Sequence, residues 1–109
     1  MKALALVGLA LASCAEASVI ETVNIDVNHN HPYKHYAKAD FRELASGEPG
    51  NCAAIAFTKK AELARRGISS SILTCRLTKG EGHAFLFTAE GVLDNRFDRL
   101  VQYSEVGCK

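Results

Sequence analysis

The run Asn51-Cys52-Ala53-Ala54-Ile55-Ala56-Phe57 constrains the fold more than any other part of the chain. Pro49 and Gly50 make a turn before it, and Asn51 is a good helix N-cap. The pattern predicts a helix over 51–66 with Cys52 in the first helical position. Ala53, Phe57, Ala61 and Ala64 share one side; Lys59, Glu62, Arg65 and Arg66 share the other. The first turn and a half is apolar all round. That end of the helix must be buried, while the far end meets solvent. Arg65 and Arg66 complement the C-terminal dipole, and Gly67 is the expected C-cap.

Three short strands are predicted downstream. Ile72–Leu77 alternates, with Leu73, Cys75 and Leu77 on one face. Lys79–Gly82 is a turn. His83–Phe87 carries His83, Phe85 and Phe87 on one face, expected to be the helix-facing one, and Ala84 and Leu86 on the other. The third strand is Val92–Asn95. Hairpin register decides which acid meets His83. A four-residue loop, Thr88–Gly91, pairs Phe87 with Val92 and Phe85 with Asp94, making Asp94 a diagonal neighbour of His83. A three-residue loop turns Asp94 to the other face. A two-residue loop at Glu90-Gly91 instead sets Asp98 opposite His83, so Asp98 is the alternative acid. Residues 96–109 read as a partial strand or turn followed by a tail.

Upstream, periodicity does not separate helix from strand over 18–31: Val19, Val23 and Val27 fit the first, and Val23, Ile25 and Val27 the second. Pro32 ends that segment. Tyr33, Tyr36, Ala37, Phe41 and Leu44 form one stripe of a predicted short helix over 33–44, followed by a loop over 45–50. His29, His31 and His35 have a spacing that could gather a divalent ion, but only Asp26 accompanies them. They are read as solvated histidines around a turn, with no metal and no cofactor expected.

Lys2 followed by the apolar run Ala3–Ala12 reads as a targeting segment, too short to span a bilayer. Ala15-Glu16-Ala17 before Ser18 fits secretory cleavage, giving a leader over 1–17. Leu11-Ala12-Ser13-Cys14 fits a lipobox, which would end the leader at residue 13 and attach the protein to a membrane through a lipidated Cys14. Either way the protein is expected to be exported, to the periplasm or as an outer-membrane-attached lipoprotein, with residues 18–109 as one domain. Cys52, Cys75 and Cys108 then remain, an odd number. One reading pairs Cys75 with Cys108 and leaves Cys52 free; the other leaves three free thiols. The formal net charge of +1 gives no reason to expect a nucleic-acid partner.

A thiol at a helix N-terminus faces backbone N–H groups and the positive dipole end, which lower its pKa and can form part of an oxyanion hole. Asn51 would support that arrangement. His83 can take the thiol proton, and Asp94 can orient the imidazole. Cys52, His83 and Asp94 are therefore the candidate catalytic residues.

These residues carry a resemblance. Val23-Asn24 through Tyr36, Gly50-Asn51-Cys52, Thr58–Leu63, His83-Ala84-Phe85-Leu86 and Val92-Leu93-Asp94-Asn95 resemble the bacterial transglutaminase-like cysteine proteinases. The family pattern Gly-Asp-Cys-Glu-Asp-Tyr reads Gly50-Asn51-Cys52-Ala53-Ala54-Ile55 here, and the acids that calcium-dependent members use before the cysteine are absent. The resemblance implies an α+β, transglutaminase-like (papain-like) fold, a Cys-bearing helix on a small antiparallel sheet. It also implies an amide hydrolase that forms a thioester through Cys52, His83 and Asp94. The expected partner is a protein or peptide substrate, attacked by a monomer. Two alternatives stand beside this reading. One is a peptidoglycan amidase of NlpC/P60-like type, whose third residue is typically a histidine. The other is an inactive exported module that kept the fold.

Overall fold

The computed structural model describes residues 19–109. The expected leader, Cys14 and Ser18 lie outside the described residues. Residues 19–30 are helical (α1), which settles the ambiguity in that segment. Ile20, Val23, Asn24 and Val27 are its buried positions, a spacing of three and four that only a helix satisfies. Ile25, central to the strand reading, is only half-buried. Among the described residues no helix is long and apolar enough to cross a membrane.

The helix expected over 33–44 does not form. Long-range bonds take its backbone instead. Tyr33 and Gly50 form a parallel bridge, with Lys34 N–H donating to Gly50 O at 2.9 Å and Gly50 N–H to Pro32 O at 3.1 Å. Asn51 Nδ2 donates to Lys38 O at 2.9 Å. Of the apolar stripe only Leu44 is buried. Its side chain also explains Gly50: a Cβ there would lie 2.7 Å from Leu44 Cδ1.

Helix α2 spans Cys52–Arg65. Asn51 Oδ1 caps it by accepting from Ala54 N–H at 3.1 Å. Gly67, at φ +75°, closes the other end, where Ile68 N–H reaches Leu63 O at 2.9 Å. Ala53–Ala56 are buried, as an apolar first turn requires. The far half corrects the sequence reading. Its buried residues are Thr58, Lys59 and Leu63, whereas Phe57 and Ala61 are half-buried and Ala64 is exposed. The inward stripe is thus rotated toward Lys59.

The sheet is antiparallel, in the order β1 (Ser71–Arg76), β2 (Gly82–Thr88), β3 (Gly91–Leu93). Phe87 pairs with Val92 and Leu86 with Leu93, the register of the four-residue loop. Gly91 makes the turn at φ +143°, where a Cβ would sit 3.3 Å from Val101 O.

Two apolar clusters flank the sheet. Leu86 and Leu93 pack with Ile20, Val23 and Val27 of α1, Leu44, and Ala54, Ile55 and Leu63 of α2. Phe85 and Val92 pack with Val101 and Val106, against Leu73, Phe97 and the cysteines. The helix-facing side of β2 is therefore the Leu86 side. His83 belongs to the Phe85 side, contrary to expectation. The reason lies in the C-terminal segment, which is not a tail. Val101 exchanges hydrogen bonds with Val92, a short helix α3 covers Tyr103–Val106, and Cys108 is disulfide-bonded to Cys75. That segment supplies a second cover, so the sheet has two buried faces.

Candidate active site

Cys52 is half-buried in the first turn of α2 and is the free cysteine among the described residues. Its helix N-terminus abuts the start of β2, where Ala84 N–H donates to Cys52 Sγ at 3.4 Å. His83 precedes that residue and is 8% exposed. Its Nε2 lies 2.9 Å from Asp94 Oδ2, and Asp94 is fully buried. With Nε2 committed to the carboxylate, Nδ1 is the ring nitrogen left for Cys52. The ring stacks on Phe85 at 5.9 Å between centroids, which fixes its plane from below.

The electrostatics follow from these contacts. Burial pushes the Cys52 thiol up, but the neighbouring His83 imidazole and the Ala84 N–H outweigh it and bring the thiol below its ordinary value. Burial alone would depress the His83 pKa. The bond to Asp94 and the neighbouring Cys52 thiol prevail, and it rises from 6.5 to about 9. Burial likewise opposes ionisation of Asp94. Its bonds to His83 and Arg96 win, and its carboxyl is held well below the usual carboxylate range. Each of the three shifts runs toward the charged form of its group.

Arg96, which sequence reasoning missed, grips the far side of that carboxylate. Its Nε donates to Asp94 Oδ1 at 3.0 Å, its Nη2 to Oδ2 at 2.7 Å, and its backbone N–H to Oδ1 at 2.9 Å. Nη2 also reaches Val106 O at 2.8 Å, tying the acid to α3. The signal was present, since an Asp followed two residues later by an Arg in a turn can close on itself. Asp98, the alternative acid, is elsewhere: it pairs with exposed His29 at 2.8 Å.

A second missed element lies behind the site. Lys59 is 1% exposed, and its Nζ donates to Asn24 Oδ1 at 2.7 Å. Burial lowers its pKa from 10.5 to about 7, against the pull of Asp94 and Asp98. Asn24 Nδ2 in turn donates to Phe97 O and Asp98 O, both at 2.8 Å. Asn28 Nδ2 donates to Phe97 O at 3.0 Å and Asp94 O at 3.3 Å. Helices α1 and α2 thus hold the backbone of the loop that carries Asp94.

The remaining histidines scatter. His31 is buried, not solvated, and its Nδ1 meets Glu48 O at 2.8 Å. His35 is exposed at the edge of the cleft beside Cys52. Among the described residues no cluster of His, Cys, Asp and Glu side chains is placed to hold a metal ion. Cys75 and Cys108 are joined, with their Cα atoms 5.7 Å apart. Asn51 is committed to capping α2 and bracing Lys38.

The arrangement sets a thiol held below its ordinary pKa beside a buried imidazole that is paired with a carboxylate. A sequence model of one family, bacterial transglutaminase-like cysteine proteinase, matches residues 10–109. No curated protein matches the chain.

Proposed function

The chain belongs to the bacterial transglutaminase-like cysteine proteinases, and from that premise we propose that it cleaves amide bonds with Cys52 as nucleophile, His83 as acid and base, and Asp94 as orienter. The observation that carries this reading is the buried carboxylate of Asp94 2.9 Å from His83 Nε2, with the N–H of the next residue, Ala84, on the Cys52 sulfur.

The Cys52 thiolate attacks the carbonyl carbon of the scissile amide. The N–H groups of the α2 N-terminus, with Cys52 and Ala53 first in line, face the negative charge that develops on the carbonyl oxygen. His83, carrying the thiol proton, gives it to the leaving amine, and the C–N bond breaks. A thioester remains on Cys52. Neutral His83 then takes a proton from water, whose oxygen attacks the thioester, and the acid is released as the thiolate re-forms. Asp94 stays ionised throughout, and Arg96 keeps it so.

The finer fold type belongs to this reading. A nucleophilic cysteine heading a helix, with its base and acid on an adjoining antiparallel hairpin, is the transglutaminase-like arrangement. Residues 18–109 then form one catalytic domain working as a monomer on a protein or peptide substrate. Export to the periplasm follows from the leader at 1–17, or outer-membrane attachment from a lipidated Cys14. The disulfide between Cys75 and Cys108 supports an oxidising compartment.

The test is alkylation of Cys52 by iodoacetamide. Reaction well below the pH at which an ordinary thiol ionises, lost in His83→Ala, supports the triad. An unchanged rate in His83→Ala would sink it.

A further inference from the structure

We propose that the groove beside Cys52 holds an internal stretch of extended polypeptide and selects an apolar or aromatic side chain on one side of the scissile bond. This rests on the peptidase reading above and names its substrate more closely.

Two cavities meet at the thiol. One, of about 550 Å³, is walled by Tyr36 and Phe41, with His35 and Arg76 also on its lining. The other, of about 740 Å³, is walled by Lys79, Arg96 and Glu105, with Leu77 and Val106 beside them. Tyr33, Cys52, Glu81, Gly82 and His83 line both. The nucleophile therefore stands midway along a groove and not at a blind end. A substrate ending at the scissile bond would leave one arm unfilled. A chain running past Cys52 occupies both.

The arms differ in chemistry. Tyr33, Tyr36 and Phe41 are 54%, 42% and 46% exposed, three of the five large exposed hydrophobic residues among those described. They sit on a segment whose backbone is tied to Gly50 and to the Asn51 side chain, at the turn that presents Cys52. Large apolar side chains held in water beside a reactive group gain most from an apolar ligand. Both arms carry charges, Arg76 on the first and Lys79, Arg96 and Glu105 on the second, but Tyr36 and Phe41 line the first alone. The groove thus has a direction, set by those two aromatic side chains.

The test reads binding without chemistry. Peptides capped at both ends, with leucine, phenylalanine or aspartate at each central position, are titrated by calorimetry against Cys52→Ala protein. At one position leucine and phenylalanine should bind about tenfold tighter than aspartate. Tyr36→Ala and Phe41→Ala should each erode that preference severalfold, Phe41→Leu should keep it, and Phe87→Ala, exposed on the sheet, should leave it intact. Equal affinity for leucine and aspartate peptides, or variants that bind as the parent does, would overturn the proposal. So would binding only of peptides with a free terminus. A failure of the alkylation test with this preference intact would remove the peptidase reading alone, so the two failures are distinct.

Discussion

Lys59 on the cysteine-bearing helix is joined to Asn24 of α1, Nζ to Oδ1 at 2.7 Å, and through that amide to the loop that bears Asp94. The helix that bears Cys52 and the loop that bears Asp94 are therefore one polar unit. In Lys59→Met the stem volume is kept, but Asn24 Oδ1 loses its donor, a cost of about 1–3 kcal/mol. Denaturant unfolding measures it.

The same variant carries a pH signature. Burial lowers the Lys59 pKa from 10.5 unfolded to about 7 folded. Between these values the unfolded chain binds more protons, so this group makes stability rise with pH across that window. His83 has the opposite sign: its contribution is complete below 6.5 and lost as pH passes about 9. Subtracting the Lys59→Met stability curve from the parent's isolates the lysine. The difference should climb from pH 7 to 10.5, and a flat difference would refute the lowered pKa of the buried lysine.

His83→Ala removes the partner that holds the Cys52 thiol below its ordinary value. The midpoint of the alkylation rate against pH should move up, leaving a rate at pH 7 lower by about tenfold per unit of movement. Thiolate absorbance in the ultraviolet gives the same midpoint independently.

Asp94→Asn keeps the shape and deletes the charge. Loss of the oriented imidazolium should lower peptide turnover by on the order of a thousandfold or more, with little change in KM. The variant should also resist acid differently. Asp94 is held below its unfolded value of 3.8, so it stabilises the parent above that pH and the benefit disappears as pH falls through and beneath it. That loss should be missing from Asp94→Asn in an acid-unfolding titration.

Reducing the disulfide, or replacing Cys75 and Cys108 by serine, opens a loop of sequence separation 33. A loop of that length corresponds to about 3–4 kcal/mol of stability. The thermal midpoint should fall, and proteolysis should begin near Val101–Cys108.

Local signals carried part of this architecture. The apolar start of α2, its Asn51 cap and Gly67 stop, the strand alternation and the hairpin register were legible because each depends on near neighbours. Cys52, His83 and Asp94 were nameable for the same reason. What the pattern concealed depends on distant partners. Lys59 looks like a solvent-facing lysine until Asn24 of another helix receives it. The stripe Tyr33-Tyr36-Phe41 has helical spacing, but Gly50 and Asn51 take up backbone groups that a helix would use. The face of His83 was misread because residues 97–108 looked like a tail, when they are the second layer of the sheet. Arg96 looks like an exposed turn residue until Asp94 and the distant Val106 carbonyl receive its guanidinium.

The cover over Phe85 has a consequence for the order of assembly. Val101 and Val106 follow helix α2 and all three strands in the chain, so those elements can form before this cover docks. Until it docks, Phe85 lacks its apolar partners, and Arg96 has no Val106 carbonyl to brace against. Docking of residues 101–108 and ordering of the His83–Asp94 pair are thus one event, because the same layer that buries Phe85 anchors the guanidinium held on Asp94.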